Sequence, residues 1–318
     1  MKNIYMQNKM KIMISFKGHK YQDYIKNDSF DNVQKLENYH NIKYLNCANN
    51  NIKELPKELP RYLKGLYCGD NILTGLPTLP LYLEELDCRN NIILDLPILP
   101  LTLKNLNCSY NNLINIGKLS IWLETLECEY NSITELPLLP DRLIKLKCNH
   151  NNILSLPKLP IGIKTLICNN NEIQNLGKMN NKITHIECGY NKIESFISLS
   201  EQLEYLNCEH NRFGSLGKLP QNLITLICNG NDITELPTLP KSLKVLVCND
   251  TELTSLPNNI LDFEFTEFSF INTPIYRLIM EKHSGVIEFY LKRKKKTRFR
   301  VRLSSIGKCT SIALSLAF

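Results

Sequence analysis

Twelve cysteines are the most reactive side chains of this 318-residue chain, and their spacing limits the chemistry open to them. All except Cys309 fall in one series from Cys47 to Cys248, with a first interval of 21 residues and later intervals of 20. Cysteine zinc sites use pairs about two to four residues apart, and disulfides need Cβ atoms about 3.8 Å apart on converging bonds. Strands stacked in register hold equivalent Cβ atoms about 4.8 Å apart on parallel bonds. We therefore predict reduced thiols that stack as small core side chains in a reducing compartment, with no metal site and no cofactor.

His185 and Glu187 form the other pair that could do chemistry, as an acid and a base. They share one strand face, but the pattern implies neither a nucleophile beside them nor an enclosed pocket. Gly-Lys pairs at 117–118, 177–178 and 217–218 lack the following Ser or Thr of a phosphate loop. We therefore predict no catalytic residue and a chain that is not an enzyme.

The cysteine series belongs to a repeat that reads L-x-x-L-x-C-x-x-N-x-I-x-x-L-P-x-L-P-x-x. Leu126 and Cys128 lie two residues apart, which is strand spacing and places both side chains on one face. Pro137 and Pro140 fix φ and remove N–H donors, so we expect an extended, polyproline-like segment there rather than a helix. One such unit buries too little apolar surface to fold alone, so the repeats must stack.

An asparagine follows the cysteine by three residues in ten repeats, and Thr251 takes its place in the eleventh. A polar side chain kept at one inward position indicates a ladder of amides that satisfy backbone groups at the bend after each strand. We therefore interpret these asparagines as structural.

The chain divides by this pattern into four parts. We predict an N-terminal cap at 1–40, in which Phe30, Val33 and Leu36 suggest a short helix, and eleven leucine-rich repeats of 20–21 residues at 41–260. A degenerate twelfth repeat at 261–280 has Phe270 in the cysteine position and continues the inward spacing through Leu278. A basic C-terminal cap or tail follows at 281–318, where the alternation predicts a hairpin of 286–291 and 297–303.

The consensus resembles the shortest class of leucine-rich repeats, with an L-P-x-L-P convex side, found in effector proteins of Gram-negative pathogens. The repeated cysteine and the Asn-, Ile- and Lys-rich composition also look like leucine-rich-repeat proteins of giant DNA viruses. The resemblance implies an α/β-class, mostly β repeat solenoid, a horseshoe with a parallel concave sheet and few helices. It also implies an intracellular, cytoplasmic protein-interaction scaffold that takes part in host–virus or effector-like contacts.

Residues that alternate with the inward Leu and Cys must face away from the core, on the concave surface. We predict a protein partner there, with aromatic edge residues Tyr110, Tyr130, His150, Tyr190 and His210 beside it. Solvent-facing Ile167, Ile227, Val245 and Val247 are the centre of this hypothesis. The full candidate set is Tyr44, Tyr67, Glu85, Asp87, Arg89, Glu127, Glu129, Lys145, Lys147, Ile167, His185, Glu187, Tyr205, Ile227, Val245 and Val247.

The formal charge of +7 comes from one segment, because eight basic residues fall between Lys292 and Arg302. One interpretation is a capping strand with a solvated basic face; another is a nuclear-localisation or anionic-surface patch, and the two are compatible. Nucleic acid is the alternative partner through this segment. We expect no membrane span and a monomer. The basic residues are Lys292, Arg293, Lys294, Lys295, Lys296, Arg298, Arg300 and Arg302.

Overall fold

The computed structural model describes residues 11–15, 23–26, 34–35 and 37–283. The chain forms two compact units, 1–153 and 154–318. Both units are built from short coils, one per repeat, in which a three-residue strand is followed by a bend, an extended Leu-Pro segment and a turn. The candidate basic segment 292–302, the predicted hairpin, Cys309 and the residues of the predicted cap helix (Phe30, Val33 and Leu36) lie outside the described residues.

The first unit contains one sheet in the order β8-β7-β6-β5-β4-β3-β1-β2. Strands β3 to β8 are parallel, whereas β1 runs antiparallel to both β3 and β2. A 3₁₀ turn at Tyr39–Asn41 precedes β3. The strands are β1 Lys11–Ser15, β2 Asp23–Lys26, β3 Tyr44–Asn46, β4 Gly65–Tyr67, β5 Glu85–Asp87, β6 Asn105–Asn107, β7 Thr125–Glu127 and β8 Lys145–Lys147.

The second unit contains a parallel sheet in the order β14-β13-β12-β11-β10-β9. A 3₁₀ turn at Ile260–Asp262 precedes β14, and helix α1 Pro274–His283 follows it. The strands are β9 Thr165–Ile167, β10 His185–Glu187, β11 Tyr205–Asn207, β12 Thr225–Ile227, β13 Val245–Val247 and β14 Glu267–Ser269.

The predicted parallel-sheet solenoid with few helices is confirmed. From β3 to β13 the middle residue of each strand is buried, and the residue after the strand is a buried cysteine. The Leu-Pro segments contain neither helix nor strand, as in Leu96–Pro100. The carbonyl oxygen of the second proline accepts a hydrogen bond from the N–H three residues on, as Pro80 does from Leu83 at 3.1 Å. This turn returns the chain to the next strand.

The Gly-Lys variants have a backbone that proline cannot adopt. Gly117, Gly177 and Gly217 have φ of 72°, 71° and 64°, in the left-handed region. Proline is locked near −65°, so glycine replaces it where the chain takes this different path. These positions are variants of the Leu-Pro segment, as the sequence indicates.

The eleven repeat cysteines are free and buried. Burial raises the pKa of the Cys47, Cys108, Cys148 and Cys228 thiols to about 12 and pushes the pKa of others well above the usual range. Some thiols also point at backbone carbonyls, as Cys248 Sγ does at Ser269 O, 3.4 Å away. The interpretation of these side chains as free thiols buried in the core is therefore confirmed.

The amide ladder links each coil to the one before it. Asn91 Nδ2 donates to the carbonyl oxygens of Cys68, Cys88 and Arg89 at 3.1, 3.0 and 3.1 Å. Its Oδ1 accepts the N–H of Leu73 at 2.9 Å. At Thr251 the side chain bonds within its own coil, from Oγ1 to Cys248 O at 2.9 Å.

The end of the second unit departs from the spacing that we predicted. Phe268 and Phe270 are buried at β14, and Thr273 Oγ1 donates to Phe270 O at 2.7 Å. Leu278, expected to point inward, is 43% exposed. The chain is helical there, so Ile275 and Ile279, four residues apart, form the buried face instead. The proposed division into caps and repeats remains a prediction.

Candidate functional site

Side chains at the first and third position of each repeat strand point away from the core and form what we call the strand face. Most are half-buried because neighbouring strands bring equivalent side chains close together. Among the candidates, Glu129 follows its strand by two residues and is half-buried, whereas Arg89, in the same position, is exposed. The candidates within strands are Tyr44, Tyr67, Glu85, Asp87, Glu127, Lys145, Lys147, Ile167, His185, Glu187, Tyr205, Ile227, Val245 and Val247.

The strand face of the first unit is polar, and its charges are paired with each other. Glu127 lies 2.7 Å from Lys145 and 3.9 Å from Lys147. Asp87 lies 3.1 Å from Arg89, and burial is the main reason that the pKa of its carboxyl is raised. These ion pairs neutralise part of the charge on this face.

Aromatic side chains lie on this face at its first two parallel strands, β3 and β4. The Tyr67 hydroxyl donates to Glu85 in the next strand. The ring of Tyr44 lies over Gly65, where an added Cβ would come 2.5 Å from Tyr44 Cδ1. Gly65 therefore provides the space that this ring occupies.

A shallow hollow of about 190 Å³ lies on the same face. Its lining is mostly polar and includes Tyr67, Glu85, Asp87, Asn105, Asn107, Thr125 and Glu127. Asn107 Nδ2 donates to Glu127 at 3.2 Å, so part of this polar lining is already satisfied.

The two residues considered as an acid and a base, His185 and Glu187, are in contact on the strand face of the second unit. His185 Nε2 lies 2.9 Å from Glu187 Oε1, and Asn169 donates to the other carboxylate oxygen at 3.0 Å. The imidazole stacks on the Tyr205 ring at 4.3 Å. Both groups therefore make contacts with neighbouring strands on the strand face.

The apolar part of the strand face is smaller than we predicted. Ile227 pairs in register with Val247, and Val245 lies in the same strand as Val247. Ile167 lies three strands away, opposite Glu187, and the polar Asn207 stands next to Ile227. All four side chains are half-buried rather than fully solvent-facing, because flanking strands cover their sides. The structure thus brings together Ile227, Val245 and Val247, which we call the apolar patch, and separates Ile167 from it.

The predicted aromatic edge forms stacks on an unusual backbone. Tyr110 stacks on Tyr130 at 4.3 Å, Tyr130 on His150 at 4.0 Å, and Tyr190 on His210 at 4.4 Å. All five residues lie two positions after a cysteine and have φ between 48° and 55°. Left-handed backbone costs an L-residue roughly 1–2 kcal/mol, and elsewhere in this row Asn, Asp or Gly fills the position. We call this row the exit row.

Sequence reasoning missed one surface of the first unit. Leu81, Leu101 and Ile121 are exposed at the turns that lead into β5, β6 and β7, next to Tyr82 and Trp122. The sequence did contain a signal for this surface. The two residues directly after the second proline, or after the residue that replaces it, are not inward positions of the repeat, so an apolar pair there should be exposed.

The described residues show neither a metal site nor a bilayer-spanning helix. No group of three His, Cys, Asp or Glu side chains among them is placed to hold a metal ion. No helix in the same residues has the length and apolar content to cross a bilayer.

Comparison with solved structures finds proteins with a similar fold. YopM from Yersinia enterocolitica is 30% identical over 66% of this chain, with a TM-score of 0.61. The functional domain of InlJ from Listeria monocytogenes, which includes a cysteine ladder, is 24% identical over 74% of the chain, with a TM-score of 0.54. The APL1 leucine-rich repeat domain is 21% identical over 76% of the chain, with a TM-score of 0.66.

The present chain spans 51% of the YopM chain, 64% of the InlJ chain and 71% of the APL1 chain. No protein-family model and no curated protein matched the sequence. The parallel strands, the amide ladder, the buried cysteines and these structural neighbours lead to one conclusion: the chain is a leucine-rich-repeat solenoid with a 20-residue spacing.

Proposed function

We propose that this protein is a non-enzymatic scaffold that binds a protein partner across the strand face, with the apolar patch of Ile227, Val245 and Val247 at the centre of the contact. The observation that carries the proposal is the patch itself. Three branched aliphatic side chains lie together on a surface that the fold does not require to be apolar, since equivalent positions hold Glu, Lys, Asn or Thr.

The setting of the patch supports a protein partner. Stacked arrays of repeats present extended, rigid surfaces that such proteins use for binding. Aromatic side chains are enriched at interfaces, and here the Tyr190–His210 stack borders the strands of the second unit. The half-buried patch residues are also held in place by neighbouring strands, so binding would order few side chains.

The cellular setting is part of the proposal. Free, buried thiols in every repeat fit a reducing compartment, so we propose an intracellular, cytoplasmic protein. Because the repeat consensus and composition resemble those of bacterial effector and giant-virus repeat proteins, we propose an effector-like or viral role in contact with host proteins. We propose that the chain acts as a monomer.

Affinity capture from a host-cell lysate tests this function when it is run with matched variants. The test variant carries Ile227→Asp, Val245→Asp and Val247→Asp. The control carries Leu154→Asp, Ile161→Asp and Ile197→Asp, at exposed apolar positions of the same unit but off the sheet. We expect a protein that the wild type and the control retain and that the test variant loses.

A second test variant guards against unfolding. Ile227→Thr, Val245→Thr and Val247→Thr keep β-branched side chains that suit a strand while adding hydroxyl groups to the patch. Circular dichroism would establish that each variant is folded. Retention of the same partner by both folded test variants would place the contact elsewhere.

A further inference from the structure

Three apolar side chains project from the first unit at equivalent places in successive coils. Leu81, Leu101 and Ile121 are 79%, 66% and 63% exposed, each at the first position of the turn before a strand. The turns are held by backbone hydrogen bonds, such as that from Leu103 N–H to Pro100 O at 3.1 Å. The following leucine, two residues on, is fully buried in each case, which orients the projecting side chain outward.

Aromatic residues accompany this row. Tyr82 and Trp122 occupy the second turn position beside Leu81 and Ile121, and both are partly exposed. Tyr62 holds the same position one coil earlier, with its ring 5.9 Å from that of Tyr82. We call Tyr62, Leu81, Tyr82, Leu101, Ile121 and Trp122 the entry ridge.

Cations flank the ridge at both ends. The Arg142 guanidinium lies 4.1 Å from the centre of the Trp122 ring, and Lys43 Nζ lies 4.7 Å from the Tyr62 ring. Between them Lys64 and Lys104 both bind Glu84, at 2.9 and 2.7 Å. The six four-residue segments that lead into β3–β8 carry five Lys or Arg side chains against three acids, a positive surplus. The ridge therefore favours an anionic partner.

We propose that the entry ridge docks the protein on the surface of an anionic lipid bilayer. Aliphatic side chains that protrude from turns can enter the boundary of the acyl region without a matching groove in the partner. Tyr and Trp favour the headgroup level of a bilayer, because the apolar ring can contact lipid there while its polar group contacts water. The flanking lysines and arginines would then lie near lipid phosphates, which attract them. The protein lies on the membrane in this arrangement and does not cross it.

Vesicle binding by the full chain tests the proposal, and Trp122 provides a local readout because it is the only tryptophan. We expect the protein to sediment with vesicles of phosphatidylcholine that also contain the anionic lipid phosphatidylserine. Binding should shift Trp122 fluorescence to the blue and make it accessible to a quencher carried on the lipid chains. Pure phosphatidylcholine vesicles and raised salt should both weaken binding, since screening reduces the attraction of the cations.

Matched variants assign the binding to the ridge. Leu81→Ser, Leu101→Ser and Ile121→Ser together should lower vesicle affinity at least roughly tenfold, because three apolar side chains no longer leave water. Ile92→Ser, Leu94→Ser and Ile114→Ser remove three exposed apolar side chains of the same unit that lie outside the entry ridge and should leave affinity unchanged. All six positions are exposed, so neither variant removes core packing.

Every variant keeps the basic segment 292–302. A difference in vesicle binding between variants therefore comes from the ridge and not from that segment. Equal vesicle binding by the ridge variant and the wild type, with no change in Trp122 fluorescence, would assign binding to that segment and overturn the proposal. Absence of vesicle binding at low salt would also overturn it. So would a dimer in solution that the ridge variant abolishes, because the ridge would then be a contact between two copies of the chain.

Discussion

Asn111 Nδ2 donates a hydrogen bond to the carbonyl oxygen of Cys88, 3.1 Å away and one coil earlier in the chain. The same amide donates to Cys108 O at 3.1 Å, and its Oδ1 accepts the N–H of Ile93 at 3.0 Å. One side chain therefore closes the bend of its own coil and fixes the previous coil against it. Repetition of this contact is what makes the stack of coils cooperative.

Replacement of one ladder amide should destabilise the protein substantially. Asn111→Ala removes the acceptor of the buried Ile93 N–H and one of the two amide donors to each of the Cys88 and Cys108 carbonyl oxygens. We expect a loss of about 2–4 kcal/mol in the free energy of unfolding. Urea titration followed by circular dichroism measures this loss. The adjacent Asn112 is exposed, so Asn112→Ala is the control and should change stability by less than about 0.5 kcal/mol. Equal losses of unfolding free energy in both variants would show that a ladder asparagine contributes no more to stability than an exposed asparagine.

The buried thiols should be chemically silent in the folded protein. Burial raises the pKa of thiols such as Cys108 and Cys148 to about 12, so almost no thiolate is present at neutral pH. In a Cys309→Ser background, we expect no reaction with Ellman's reagent at pH 8 until urea unfolds the chain, and then eleven thiols per molecule. Rapid reaction of several thiols without denaturant would contradict the inward cysteine ladder.

Alkaline pH should unfold the protein. A thiol whose pKa rises from 9.0 to about 12 on folding contributes stability that is fully present below pH 9 and is lost as the pH rises toward 12. The unfolded chain releases protons that the folded chain keeps, so each such thiol lowers the free energy of unfolding by about 1.4 kcal/mol per pH unit in this window.

Urea midpoints at pH 8, 9 and 10 measure this loss, and the double variant Cys108→Ala, Cys128→Ala should show a shallower decline with pH than the wild type. The comparison uses the slope rather than the absolute stability, since each alanine also leaves a cavity. A stability that stays constant from pH 8 to pH 10 would be inconsistent with the raised thiol pKa values.

The exit row should tolerate glycine better than a branched aliphatic residue. Tyr130 has φ of 52° and stacks between Tyr110 and His150. Tyr130→Gly relieves the backbone cost of roughly 1–2 kcal/mol but loses stacking of similar size, so stability should change little. Tyr130→Val loses the stack and keeps an unfavourable backbone, so its melting temperature should fall below that of the glycine variant. The reverse order would show that side-chain contacts alone determine this position.

The sequence was sufficient to predict the repeat, the parallel sheet and the roles of its inward residues. Leu126, Cys128 and Asn131 recur at fixed spacing, and a repeated inward position allows only one kind of environment. The degenerate end was harder to predict: Leu278 continues the spacing, but Pro274 opens helix α1, and local helix formation outweighed the repeat.

The candidate site was predicted less completely because its geometry depends on neighbouring strands. Ile167 and Ile227 have the same repeat position, yet two strands, β10 and β11, lie between β9 and β12, so only Ile227 joins the apolar patch. The left-handed backbone of Tyr110 could not be inferred from tyrosine, which rarely adopts it. The same row contains Asn49, Asp70 and Asn90. Asn and Asp favour the left-handed region, so these residues were the available sequence signal for the backbone of the row.

The most direct test of the central claim is the dissociation constant of a captured partner for three purified, folded proteins: the wild type, the variant with aspartate at positions 227, 245 and 247, and the variant with aspartate at positions 154, 161 and 197. If the partner covers the apolar patch, the first variant should bind at least roughly a hundredfold more weakly, since buried charges would be left unpaired. The second variant should bind like the wild type. Equal dissociation constants for all three proteins would contradict binding through the strand face.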